Sequence, residues 1–141
     1  MTLCYLGLGS NLSSPERQLR KAIEALRLLP DSNISKVASF YRSKAWGRRA
    51  MPNYCNTVVA LNTRLNPFRL LHLCQAIENK QGRLRKVRYG ARTIDIDILL
   101  FGRQKINSPT LTVPHPRIEE RDFVLIPLLE IALTMKYSSG S

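Results

Sequence analysis

The sequence predicts an α+β fold, with amphipathic helices packed on one face of a mainly antiparallel sheet. Three observations lead there. Apolar strand-like stretches and helical stretches follow one another in the order β-α-β-β-α-β. The two helical stretches repeat apolar residues at three- and four-residue intervals. Short turn signals built from Gly, Pro, Asn and Asp separate the segments. This element order is that of the ferredoxin-like plait, which would leave the second face of the sheet for a ligand.

Leu3 to Leu8 is apolar and runs into Gly9-Ser10-Asn11, a buried strand followed by a turn. Ser13 or Ser14 can cap a helix with Pro15 at its first position. Leu19, Ile23, Leu26 and Leu29 supply its apolar stripe, and Pro30-Asp31 stops it. Ile34 to Tyr41 predicts a second strand, Ser43 to Asn53 a loop, and Tyr54 to Leu61 a third strand centred on Val58, Val59 and Ala60. Asn66-Pro67 opens a second helix whose apolar face is Leu70, Leu71, Cys74 and Ile77 and which ends near Gly82. Thr93 to Phe101 is a fourth strand, a short one follows at Leu111 to Val113, and Phe123 to Leu133 is a final helix with Pro127 in its first turns.

At 141 residues, 44% of them hydrophobic, the chain fits a single domain, 1–141, with a substantial core. No run reaches the ~18 apolar residues of a membrane span. The start Met1-Thr-Leu-Cys-Tyr5 lacks the charged n-region and cleavage site of a signal peptide, so a cytoplasmic protein is expected. Cys4, Cys55 and Cys74 are odd in number and far apart, which fits buried free thiols and neither a disulfide framework nor a zinc site. Twenty-two basic residues against ten acidic ones, a net charge of +12, attract polyanions, nucleotide triphosphate and nucleic acid alike.

Asp95 and Asp97 are the sharpest chemical signal. Residues i and i+2 of a strand point to one face, with Cα atoms roughly 6.6 Å apart, so the two carboxylates can converge on divalent metal. Ile94, Ile96 and Ile98 alternate with them and face the core. An ordinary half-exposed strand gives the same alternation, but a basic segment stands directly upstream: Arg83, Arg85, Lys86, Arg88 and Arg92 place five cations in the eleven residues 82–92. Carboxylates hold Mg²⁺, and arginines hold the phosphates that Mg²⁺ bridges. Gly82 and Gly90 bracket the run as hinges of a mobile loop would. His115 stands between Pro114 and Pro116, a frame that positions a hydrogen-bond donor, with Arg121 nearby. Tyr54 and Asn56 share a strand face, and with Trp46 and Phe123 they offer the aromatic surface and amide that a flat heterocycle needs. Gly7-Leu-Gly9 lacks the third glycine of a dinucleotide fingerprint, which excludes a Rossmann reading.

Several of these stretches together resemble the 6-hydroxymethyl-7,8-dihydropterin pyrophosphokinases of folate biosynthesis. They are Gly9-Ser-Asn11, Ser39-Phe-Tyr-Arg42, Tyr54-Cys-Asn56, Arg92-Thr-Ile-Asp-Ile-Asp97 with the following Ile98-Leu-Leu-Phe101, Pro114-His-Pro-Arg117 and Glu120-Arg-Asp-Phe-Val124. The resemblance covers residue 3 to about Ala132. It implies a plait that moves a diphosphate from ATP to a pterin alcohol, releasing AMP, with two Mg²⁺ ions held by Asp95 and Asp97. By position, Gln75, Glu78, Arg83, Arg85, Arg92, Ile98, Thr112, His115 and Arg121 match the family's ATP side. Ser43, Ala45, Trp46, Tyr54, Asn56, Asp95 and Phe123 match its pterin side, with Tyr54 and Phe123 sandwiching the ring. Asp95, Asp97, Arg83 and Arg92 would carry catalysis. The implied partners are ATP and the pterin, with no nucleic acid or membrane, and the chain is expected to act as a monomer.

The chain departs from the family pattern at Lys44-Ala45, Tyr89, Thr110 and Glu119, and its end at Ser141 falls short of the usual length, so a shortened C-terminal end is expected. A single-stranded nucleic-acid-binding plait is the alternative from charge and sheet aromatics. The sequence lacks an aromatic-rich RNP1 match, and it carries Asp-x-Asp on the would-be binding face. A metal-dependent nuclease would need more acidic ligands than the sequence supplies.

Overall fold

The computed structural model describes residues 1–11, 14–43, 54–82, 94–116 and 126–132. The elements are β1 (Thr2–Ser10), α1 (Pro15–Arg27), β2 (Ser32–Val37), β3 (Tyr41–Ser43), β4 (Tyr54–Thr63), α2 (Pro67–Lys80), β5 (Asp95–Phe101), β6 (Ile106–Asn107) and β7 (Thr112–Val113). Residues 126–132 form a third helical segment. The fold is α+β, as expected. The main sheet runs β2-β4-β1-β5 with β3 also paired to β4, and each of these pairings is antiparallel. The second predicted strand is divided into β2 and β3, and β7 pairs with β6, which periodicity had not revealed.

Both long helices form where local signals put them. Pro15 stands at the start of α1 behind Ser14, but the Ser14 side chain makes no capping bond; its carbonyl accepts from the Arg17 and Gln18 N–H groups at 3.1 and 3.3 Å. In α2 the Asn66 side chain does cap, accepting from the Arg69 N–H at 2.9 Å. The stripe Leu19, Ile23, Leu26 and Leu29 is buried against Cys4, Leu6 and Leu8 of β1 and Cys55, Val59 and Leu61 of β4. Leu70 and Cys74 of α2 and Ile94, Ile96 and Ile98 complete this core, with Leu71 and Ile77 half-buried at its edge. Cys4, Cys55 and Cys74 are free and buried, and burial pushes the Cys4 and Cys74 thiols up to about 12.

The expectation that the helices occupy one face needs correction. The helices α1 and α2 share a face, but the segment 126–132 packs on the other, where Leu128 and Ile131 cover Ala38, Val58, Ala60 and Leu99. The cause is that β4 is buried almost throughout, so it needs apolar cover on both sides. Its unbroken run Val58-Val59-Ala60-Leu61 was the sequence signal for this, since a one-sided strand alternates. Among the described residues, no helix is long and apolar enough to cross a membrane.

Candidate active site

The register of three strands builds the site. Gly9 of β1 lies opposite Asn56 of β4 on one side and Asp95 of β5 on the other. Gly7 lies between Val58 and Asp97 in the same way. All these residues belong to the face away from α1 and α2, because their neighbours Leu6, Leu8, Cys55, Ile96 and Ile98 line the core on the opposite side. Two strand spacings of ~4.8 Å put the backbones of Asp95 and Asn56 about 10 Å apart, with a glycine floor between them.

Gly9 is there for a steric reason. A methyl built on it would overlap the Tyr54 Oη and lie 2.5 Å from Cζ and 3.1 Å from Cε1. The Tyr54 ring therefore lies across Gly9, in space that only hydrogen leaves vacant. Leu99 leans over Gly7 in a milder version, 3.3 Å from the equivalent position. Glycine inside a strand marks close approach, and this was the available sequence signal for both positions. Asn56 is 3% exposed, while Tyr54 is half-buried.

The carboxylates differ in setting: Asp95 is half-buried and Asp97 exposed. No cluster of three or more His, Cys, Asp or Glu occurs among the described residues. The donors that β5 itself offers on this face are the carboxylates of Asp95 and Asp97, both hard oxygen ligands. That fits Mg²⁺, which takes one or two carboxylates and fills its remaining positions with water and substrate phosphate.

Among the described residues β5 pairs with β1 alone, and its other edge is hydrogen-bonded to a side chain and a loop. Glu78, 6% exposed on α2, accepts from the Ile96 N–H at 2.7 Å, between the two aspartates in sequence. Farther along the edge the His115 N–H donates to the Leu99 carbonyl at 2.9 Å, after a cis Val113–Pro114 bond. Glu78 and His115 thereby meet β5, and β7, which carries Thr112, packs against it. Gln75 is exposed on α2, one position from buried Cys74. Ile98 is 3% exposed and its side chain belongs to the core, which leaves its backbone as the part facing the edge. Ser43 closes β3 opposite Tyr54. Arg83, Arg85, Arg92, Arg121, Ala45, Trp46 and Phe123 lie outside the described residues, as do the whole basic segment 83–92 and Lys44, Tyr89 and Glu119.

Sequence reasoning gave Gly9 no steric role, and it missed Glu130 altogether. Glu130 in the segment 126–132 accepts from Ser39 and Tyr41 beside β3. Burial raises the Glu130 carboxyl, but the hydrogen bonds from Tyr41 and Ser39 and the charge of Lys36 outweigh burial and hold it below its ordinary value.

Residues 5–133 match the family model described as 7,8-dihydro-6-hydroxymethylpterin-pyrophosphokinase (HPPK). The chain is also similar to proteins named 2-amino-4-hydroxy-6-hydroxymethyldihydropteridine pyrophosphokinase. The Bacillus subtilis protein is 46% identical over 139 residues, 99% of this chain and 83% of that one. The Haemophilus influenzae protein is 45% identical over 132 residues, 94% of this chain and 82% of that one. The Pseudomonas aeruginosa protein is 43% identical over 136 residues, 96% of this chain and 84% of that one. A family match over most of the chain, joined to a site that sets two carboxylates beside an aromatic and an amide, makes this chain a member of the 7,8-dihydro-6-hydroxymethylpterin-pyrophosphokinase family.

Proposed function

We propose that this chain transfers the β,γ-diphosphate of ATP to the hydroxymethyl group of 6-hydroxymethyl-7,8-dihydropterin, giving AMP and the pterin diphosphate. The observation that carries the reading is the row Asp95–Gly9–Asn56, a carboxylate and an amide on either side of one glycine, which suits a metal on one side and a hydrogen-bonding ring on the other. Asp95 and Asp97 would hold two Mg²⁺ ions, which offset charge on the phosphate oxygens when bound. Asn56 reads the amide edge of the pterin, and the Tyr54 ring, already fixed across Gly9, supplies a stacking face. That orientation brings the alcohol oxygen toward the carboxylate side, where it attacks the β-phosphorus in line and AMP leaves. Thr112, His115 and Gln75 flank the nucleotide near β5. Arg83, Arg85, Arg92 and Arg121 supply positive charge to the triphosphate by their place in the sequence, and Ser43, Ala45, Trp46 and Phe123 complete the pterin side.

The strand order β2-β4-β1-β5, with helices following β1 and β4, supports a ferredoxin-like plait of one domain spanning 1–141. A nucleic-acid role gains nothing from this site, because carboxylates on the sheet face repel a phosphate backbone. Incubation with ATP, Mg²⁺ and the reduced pterin, followed by nucleotide chromatography, tests the reaction. AMP formed only when pterin is present is the expected result, and stoichiometric ADP would refute it.

A further inference from the structure

One carboxylate outside the ligand-facing set organises the strand beside the site. Glu130 belongs to the helical segment that Leu128 and Ile131 seat on the sheet. Its Oε1 accepts from the Tyr41 Oη at 2.5 Å and its Oε2 from the Ser39 Oγ at 3.0 Å. The Ser39 N–H is shared between both oxygens, at 3.3 and 3.2 Å. Three donors converging on one side chain require an acceptor-only group, and a carboxylate is the side chain that provides it.

The location gives these bonds a purpose. Among the described residues β3 spans three positions, Tyr41–Ser43, and pairs with β4 alone. So short an edge strand frays unless something else holds it. The Thr57 hydroxyl meets the carbonyls of Ala38 and Ser39 at 2.9 and 3.1 Å, and Arg42 pairs with Glu16 of α1 at 2.9 Å. Tyr41, the residue that Glu130 holds, is the register partner of Asn56. Asn56 in turn faces Gly9, and Gly9 faces Asp95. A single row thus runs from the Glu130 clamp through Tyr41 and Asn56 to the carboxylate side.

We propose that Glu130 is a positioning residue for the pterin side of the site: by holding Ser39 and Tyr41 it fixes β3 against β4, and so fixes Asn56 relative to Gly9 and Tyr54. The inference rests on the pterin reading given above. Glu130 touches no substrate in this scheme. It acts through Tyr41, and its loss changes pterin recognition and leaves the nucleotide side near β5 alone.

The test is steady-state kinetics and melting of E130Q, Y41F and the double variant, with Tyr54→Ala measured alongside. E130Q replaces one acceptor oxygen by a donor, and Y41F removes the phenol from the other end, a milder change in case E130Q folds poorly. Each should raise the Michaelis constant for the pterin about tenfold while that for ATP stays within about twofold. The double variant should be no worse than the more severe single one, because both remove a shared bond. Equal rises in both Michaelis constants, or a fall in kcat alone that tracks loss of folded protein, would reduce Glu130 to a structural anchor and overturn the proposal. Additive losses in the double variant would also overturn it. If Tyr54→Ala weakens pterin binding and E130Q does not, only the positioning role fails; if none of the variants weakens it, the pterin site itself is misassigned.

Discussion

Replacing Gly9 by alanine is the sharpest test of the site's geometry. The added methyl would overlap the Tyr54 hydroxyl and stand 2.5 Å from Cζ, against the ~3.5 Å of ordinary carbon contact, so the ring must move about 1 Å at Cζ and farther at its tip. The backbone does not object. Gly9 lies within a regular antiparallel register on both sides, and an alanine there restricts the unfolded chain, worth ~0.4–1 kcal/mol of stability. Pushing a half-buried tyrosine off its preferred rotamer costs about 0.5–1.5 kcal/mol. The two terms nearly cancel, so melting should shift by no more than about 4 °C. Pterin affinity has no such compensation. A displaced stacking face forfeits about 0.5–1.5 kcal/mol beyond lost contact area, and about tenfold weaker binding is expected in titration calorimetry with a non-hydrolysable ATP analogue present. Affinity for the analogue itself should not change. In a Tyr54→Ala background, Gly9→Ala should add nothing to the loss of pterin binding. Unchanged pterin affinity in Gly9→Ala, or a large loss that persists without Tyr54, would show that the ring's place over Gly9 is irrelevant to ligand.

Asp95→Ala and Asp97→Ala should each abolish turnover while the fold survives. Without Mg²⁺ their melting temperatures should hold or rise, since one of two like charges on a face has gone; retained activity in either variant would reject the metal assignment. Glu78→Ala strips the Ile96 N–H of its buried acceptor and should cost about 1–3 kcal/mol in urea unfolding, and a loss within error would argue that water replaces the carboxylate there. The clamp at Glu130 should be pH-dependent in a defined direction. Its carboxyl is held below the ordinary value, so the stabilisation is complete above the unfolded pKa and is lost as pH falls through the lower folded value. The phenol of Tyr41 is raised by its hydrogen bond to Glu130, by burial and by the charge of Glu130, so its contribution persists through neutral pH and is lost only in strong alkali, as pH rises through the folded value. The stability gap between wild type and Y41F should therefore stay constant from pH 6 to 8 and narrow in acid below the carboxylate range; a gap that grows on acidification would contradict the assigned donor and acceptor.

What the sequence determined by itself was local. Leu19, Ile23, Leu26 and Leu29 recur at helical spacing, and one stripe of one helix is what they became. Asn66 before Pro67 offered a side-chain acceptor to an open N–H, and that bond forms. Asp95 and Asp97 alternate with isoleucines, and the isoleucines went to the core while the aspartates took the other face. Periods of 3.6 and 2 are properties of a few neighbouring residues, so a one-dimensional string carries them. The activity was legible through a family resemblance that no such period contains. Tertiary structure alone decided who stands beside whom. Residues 9, 41, 56 and 95 meet in one row because β1 sits between β4 and β5, and strand pairing across such separations is fixed by the whole sheet. That pairing turned Gly9 from a turn signal into the floor beneath Tyr54. It also sent Glu78 inward to the Ile96 N–H and brought Glu130 against Ser39 and Tyr41. By local pattern, Glu78 is a helix glutamate like Glu16 and Glu24, and Glu130 a polar interruption of the apolar stretch from Phe123 to Leu133. Each is a charged group whose partner is far away in sequence, and a carboxylate's fate depends on the donors that packing delivers to it.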